Sequence, residues 1–194
     1  MLGEASCTLS TEAGMHALWV PEPFAGVHDH ATWDAELGAN AGIRRHVVAG
    51  NLVPINIGSG GAATFVVRVG DRGDRGDRGD RGDRGEPAGL SERETRYHLV
   101  SSRPYLLTTR GRAFLSGLEH IAVETGHGRT HAIHLAEGRY GVTIHLIDWK
   151  AEPEATRHDG TPADDALPDF VILINPADHT TRYRESLTTF SPLS

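Results

Sequence analysis

The chain has a single cysteine, Cys7, among 194 residues, so no internal disulfide can form and the fold does not rest on an oxidising compartment. Long hydrophobic runs are missing too. The apolar stretches are of strand length, far below the ~20 residues that cross a bilayer, so no membrane partner is expected. Nor is there an excess of positive charge: 26 acidic against 19 basic residues give a formal charge of -7 and a pI near 5.9. A surface for nucleic acid needs clustered basic residues, so that partner is not expected either. The opening residues, Met1 to Cys7, lack the basic and apolar regions of a signal peptide, and a cytoplasmic location is expected. Lysine is nearly absent, with Lys150 alone, and together with abundant Ala and Gly this suggests the codon bias of a GC-rich bacterial genome.

Catalytic signatures are equally scarce. There is no G-x-S-x-G elbow, and Ser116-Gly117 lies within a strand-like pattern. No Walker loop is present, and Gly58-Ser59-Gly60-Gly61 reads as a hairpin turn. No catalytic residue and no cofactor are expected.

What the chain does have is alternation. From Tyr140, the residues Tyr140, Val142, Ile144 and Leu146 fall on one side of an extended segment, and Arg139, Gly141, Thr143 and His145 on the other. Successive side chains of a strand point to opposite faces, so this is a strand with one face on a core. Further strands are expected near 17–20, 43–48, 52–57, 62–69, 95–101, 104–110, 112–117, 130–135 and 169–175, separated by Gly and Pro breaks. Only 33–39 and 91–96 have room for a helical turn or two. The pattern predicts a mostly β protein, an antiparallel β-sandwich, with a small β-barrel as the alternative. Residues 15–194 are expected to form one domain, and 1–14 a flexible tail or an over-extended gene start.

Residues 71–85 are five copies of Asp-Arg-Gly. Charge-balanced and without apolar side chains, the segment cannot repay its ordering entropy, and a disordered loop over about 70–90 is expected. The four Arg-Gly-Asp tripeptides it contains invite an adhesive reading. A trinucleotide-like expansion explains them more simply. Residues 130–135 and 139–149 are expected to pair as a hairpin about Glu137-Gly138, placing Leu135 opposite Tyr140, Ile133 opposite Val142 and His131 opposite Ile144.

Twelve histidines raise the question of a metal. In the expected register His134 and His145 stand about four steps apart, or ~13 Å, too far to share an ion. His131 points inward and His127 lies in a Gly-flanked turn. The remaining candidate is His28 and His30 with Asp34, an alternative reading as a metal-dependent, cupin-like enzyme. Acids at Asp159, Asp164, Asp165 and Asp169 lack a calcium-loop spacing and read as a solvated loop. Tyr97, Tyr105 and Trp149 are the candidate binding patch, since such residues are enriched in interface hot spots.

Thr64-Phe65-Val66-Val67-Arg68-Val69, then 97–101, Pro104-Tyr105-Leu106-Leu107, 111–117 and Leu135-Ala136-Glu137-Gly138-Arg139-Tyr140 occur in an order that resembles the small bacterial β-sandwich proteins of the ComJ type, associated with competence, which inhibit a partner nuclease. The resemblance covers roughly residues 62–175. It implies a non-catalytic, protein-binding role as an inhibitor or immunity factor of a nuclease or toxin, and carries over no inhibitory residue.

Overall fold

The computed structural model describes residues 3–71, 86–122, 129–178 and 180–190. Its strands are β1 (Gly3–Thr11), β2 (Met15–Trp19), β3 (Leu52–Asn56), β4 (Gly61–Val69), β5 (His98–Ser101), β6 (Tyr105–Thr109), β7 (Arg112–Gly117), β8 (Thr130–His134), β9 (Gly138–Ile147) and β10 (Phe170–Pro176). Helices are few: α1 (His30–Leu37), α2 (Asn40–Ala49) and the short α3 (Glu92–Arg96). One sheet has six strands in the order β1-β4-β10-β9-β5, with β6 also on β9; the other has four, β3-β2-β7-β8. All pairs are antiparallel except β10 with β4. The sheets do not close on each other, so the fold is a sandwich and not a barrel.

The alternation read from the sequence decides what fills the interior. Tyr140, Val142, Ile144 and Leu146 of β9 are buried on the same face as Phe65 and Val67 of β4 and Phe170, Ile172 and Ile174 of β10. Leu18, Val53, Ile55, Leu115 and Ile133 come from the other sheet. Phe65 and Phe170 stack with ring centroids 5.4 Å apart, and Phe190 meets Phe170 edge-on at 5.7 Å. A second, smaller cluster lies on the outer face of the large sheet: Val171, Leu173 and Ile147 under Trp149, Ala155, Leu167 and Ala88.

Three expectations are corrected. Residues 3–11, expected as a tail, form β1, which pairs with β4 over its whole length. Its alternation is hidden because three of the four inward positions, Ala5, Cys7 and Thr11, are small or polar, leaving Leu9 as the one large apolar side chain. Residues 43–48, expected as a strand, lie within α2, where Ile43, His46 and Val47 share the buried face. Its stop is Gly50, at φ 74°, a left-handed conformation that glycine adopts without steric cost.

The third correction is the hairpin. β8 pairs with β7, Ile133 opposite Ala113, whereas β9 pairs with β10, β5 and β6. The turn at 135–138 therefore carries the chain from one sheet to the other. Leu135, Ile133, Tyr140 and Val142 do share one core, but they meet across it and not side by side. The repeat of 71–85 lies outside the described residues except for Asp71, whose N–H donates to the Glu86 carbonyl at 3.0 Å.

α3 is locked down by charge. The Arg68 guanidinium donates to both Glu94 oxygens, at 2.6 and 2.8 Å, and through Nε to Glu4 at 2.5 Å. Burial pushes the Glu94 carboxyl up, but bonds from Arg68 and Ser91 outweigh it and hold the group below the usual carboxylate range. Ser91 and Glu94 also form a capping box, so one carboxylate ends a helix and ties it to β4 and β1.

Candidate binding edge and a histidine pair

The four-stranded sheet ends at β3 on one side, where the C-terminal segment bonds to the last residue of the strand, Asn56. Phe190 N–H donates to the Asn56 carbonyl at 2.8 Å, and the Asn56 amide donates to the Thr189 hydroxyl. β1, the end strand of the six-stranded sheet, is different. Among the described residues it pairs with β4 alone, and no backbone bond leaves its far edge. That edge is nine residues long, with Glu4, Ser6, Thr8 and Ser10 exposed. An edge of this length that no described residue pairs with is a template for an added strand.

Grooves flank both ends of β1. One, of about 290 Å³, is lined by Thr8, Ser10, Glu12, Glu119, His120 and Arg129. In it the Glu119 carboxylate accepts from the Thr11 hydroxyl at 2.9 Å and the Glu12 N–H at 2.8 Å. These bonds overcome the upward push of burial and keep Glu119 below its ordinary value. The other groove runs from Glu4 and Arg68 to Ser91.

The expected binding patch does not form. Tyr105 is fully buried, its hydroxyl donating to the Ser186 carbonyl at 2.9 Å and meeting Thr188 at 3.1 Å. Trp149 is 8 % exposed, and its indole N–H donates to Asp169 at 2.8 Å. Tyr97 is half-buried against the outer cluster. Tyr105 and Trp149 each found a polar partner in the structure, which composition cannot reveal.

Nor do His28, His30 and Asp34 converge. His28 bonds the Gly26 carbonyl through Nδ1, Asp29 caps α1 with Thr32, and His30 stands beside Trp33, with ring centroids 6.3 Å apart. These residues build a helix start. Among the described residues no three His, Cys, Asp or Glu side chains are placed to hold a metal ion. His127 lies outside the described residues.

Sequence reasoning missed the setting of two other histidines. His16 is completely buried between the sheets, edge-on to Phe65 at 4.9 Å, and neither ring nitrogen has a hydrogen-bond partner. His145 belongs to a pair. Ser101 stands opposite it across β5 and β9, and the Ser101 hydroxyl lies 2.9 Å from His145 Nδ1 and 2.8 Å from His98 Nε2. The pairing of β5 with β9 shifts register between His98 and Val100, a bulge that no sequence pattern announces.

Among the described residues no helix is long and apolar enough to cross a membrane. No protein-family model and no curated protein matches the chain. Two solved structures do. One, described as crocagin biosynthetic gene J, is 15 % identical, with a TM-score of 0.55 over 91 % of this chain and 98 % of that one. The other is ComJ from Bacillus subtilis, described as an inhibitor of the DNA-degrading activity of NucA; it is 8 % identical, with a TM-score of 0.49 over 91 % of this chain and 99 % of that one. Over most of its length, then, the chain is similar in fold to crocagin biosynthetic gene J, a likeness of architecture at low identity.

Proposed function

We propose that the chain is a non-catalytic protein-binding sandwich that inhibits a nuclease or toxin, taking an extended segment of that partner onto the edge of β1. The observation that carries this reading is the nine-residue edge that, among the described residues, pairs with nothing. Backbone donors and acceptors along such an edge supply affinity without a pocket, and the exposed side chains supply selection. The partner's class is argued from charge. An enzyme that grips nucleic acid presents a basic surface, and a chain of formal charge -7 is complementary to it. The resemblance of residues 62–175 to ComJ-type inhibitors points the same way.

The test is inhibition. Purified protein is titrated into the DNA-degrading fraction of its own host, with complex formation followed by sedimentation. The expected outcome is stoichiometric inhibition by wild type and at least about tenfold weaker inhibition by the Ser6→Lys/Ser10→Lys pair, because lysines on an edge discourage strand addition and repel a basic partner. Inhibition that is absent, or indifferent to both substitutions, would sink the proposal.

A further inference from the structure

We infer that His98 and His145 form a two-imidazole site for a divalent transition metal on the outer face of the six-stranded sheet, with Ser101 at its centre. Two ring nitrogens lie within 2.8 and 2.9 Å of one hydroxyl oxygen, so they converge on a common point. An ion bound by imidazole sits at ~2.0–2.1 Å from nitrogen, so ring movements on the order of 1 Å would bring both onto it. Such movements are open to these side chains, which are only half-buried.

The bulge makes the convergence specific. Residues three apart on a regular strand, as His98 and Ser101 are, point to opposite faces. The register shift between His98 and Val100 brings both onto the face of His145, and re-aiming a side chain is what bulges do beside functional sites. The chemistry of the donors selects the metal. Imidazole suits zinc, copper and nickel, whereas magnesium and calcium want oxygen ligands. No third His, Cys, Asp or Glu joins the pair among the described residues. An ion held there keeps positions open for water, the Ser101 oxygen or a donor from a docked molecule.

Zinc is the probe. Metal-free protein is titrated with Zn²⁺ by calorimetry while the histidine ring protons are followed by NMR. The expected result is one saturable event that perturbs the ring signals of His98 and His145 first. His98→Gln and His145→Gln should each weaken it by at least about tenfold, whereas Ser101→Ala and the His28→Gln/His30→Gln pair should retain it. The wild-type NMR assignment needs no variant, so a misfolded substitution would not obscure the outcome. Absence of saturable uptake, first shifts at other histidines, or uptake unchanged in both glutamine variants would overturn the inference.

Discussion

His16 is a titratable ring in an apolar interior. Burial lowers its pKa from 6.5 to about 4, with the Glu119 charge opposing part of that shift. The folded state therefore prefers the neutral ring. Its stability is complete above pH 6.5, where the unfolded chain is also neutral, and is lost as the pH falls from 6.5 towards 4 and the unfolded chain takes up the proton first. The full shift corresponds to roughly 3 kcal/mol. Denaturant unfolding between pH 7.5 and 5 should show a loss of stability that is clearly smaller in His16→Leu. Equal slopes would mean that the ring is solvated in solution. No sequence pattern marks this residue, because a histidine within Met15-His16-Ala17-Leu18-Trp19 reads simply as one polar member of an apolar run.

At the scale of elements, the corner between α1 and α2 is set by a glycine. A Cβ on Gly42 would lie 2.2 Å from the Glu36 carbonyl oxygen, and the Glu36 side chain in turn holds Arg45 at 2.6 Å and His46 at 3.1 Å. Replacing a helical glycine by alanine ordinarily stabilises by up to about 1 kcal/mol. Here the clash reverses the sign, and Gly42→Ala should cost about 1–3 kcal/mol in chemical denaturation. A stabilised variant would show that the corner relaxes freely. Elements are also where sequence reasoning was weakest. The faces of β9 were legible because Tyr140, Val142, Ile144 and Leu146 alternate over a long run. Its neighbours were not, because Ile133 and Leu135 show the same apolar side whether they lie beside Tyr140 and Val142 or across the core from them. In α2, the spacing of Ile43, His46 and Val47 before Gly50 was a helix signal masked by the apolar weight of Ile43, Val47 and Val48. The β5 bulge, and with it the histidine pair, follows from how two strands fit together and leaves no local trace.

The whole molecule divides its work between two sheets. The C-terminal segment bonds to the last residue of β3, whereas among the described residues nothing pairs with the far edge of β1. The repeat enters and leaves this larger sheet's side of the molecule at a closed stem. Gly70 N–H donates to the Ile174 carbonyl at 2.9 Å, and Asp71 N–H to that of Glu86 at 3.0 Å, so the chain on either side of the triplets is already joined. Deleting 72–85 should thus shift the melting temperature by no more than about 2 °C, since closure entropy depends only weakly on length. A drop several times larger in calorimetry would mean that the triplets contribute to the fold.

The same stem has a consequence for inheritance. A run of identical triplets is prone to slippage when DNA is copied, and each slip adds or removes whole Asp-Arg-Gly units without shifting the reading frame. With Asp71 bonded to Glu86, the described chain on either side stays joined whatever the number of units between them. Copy number can therefore drift between lineages almost free of selection for stability, and an experimenter can use the same place to graft a reporter domain.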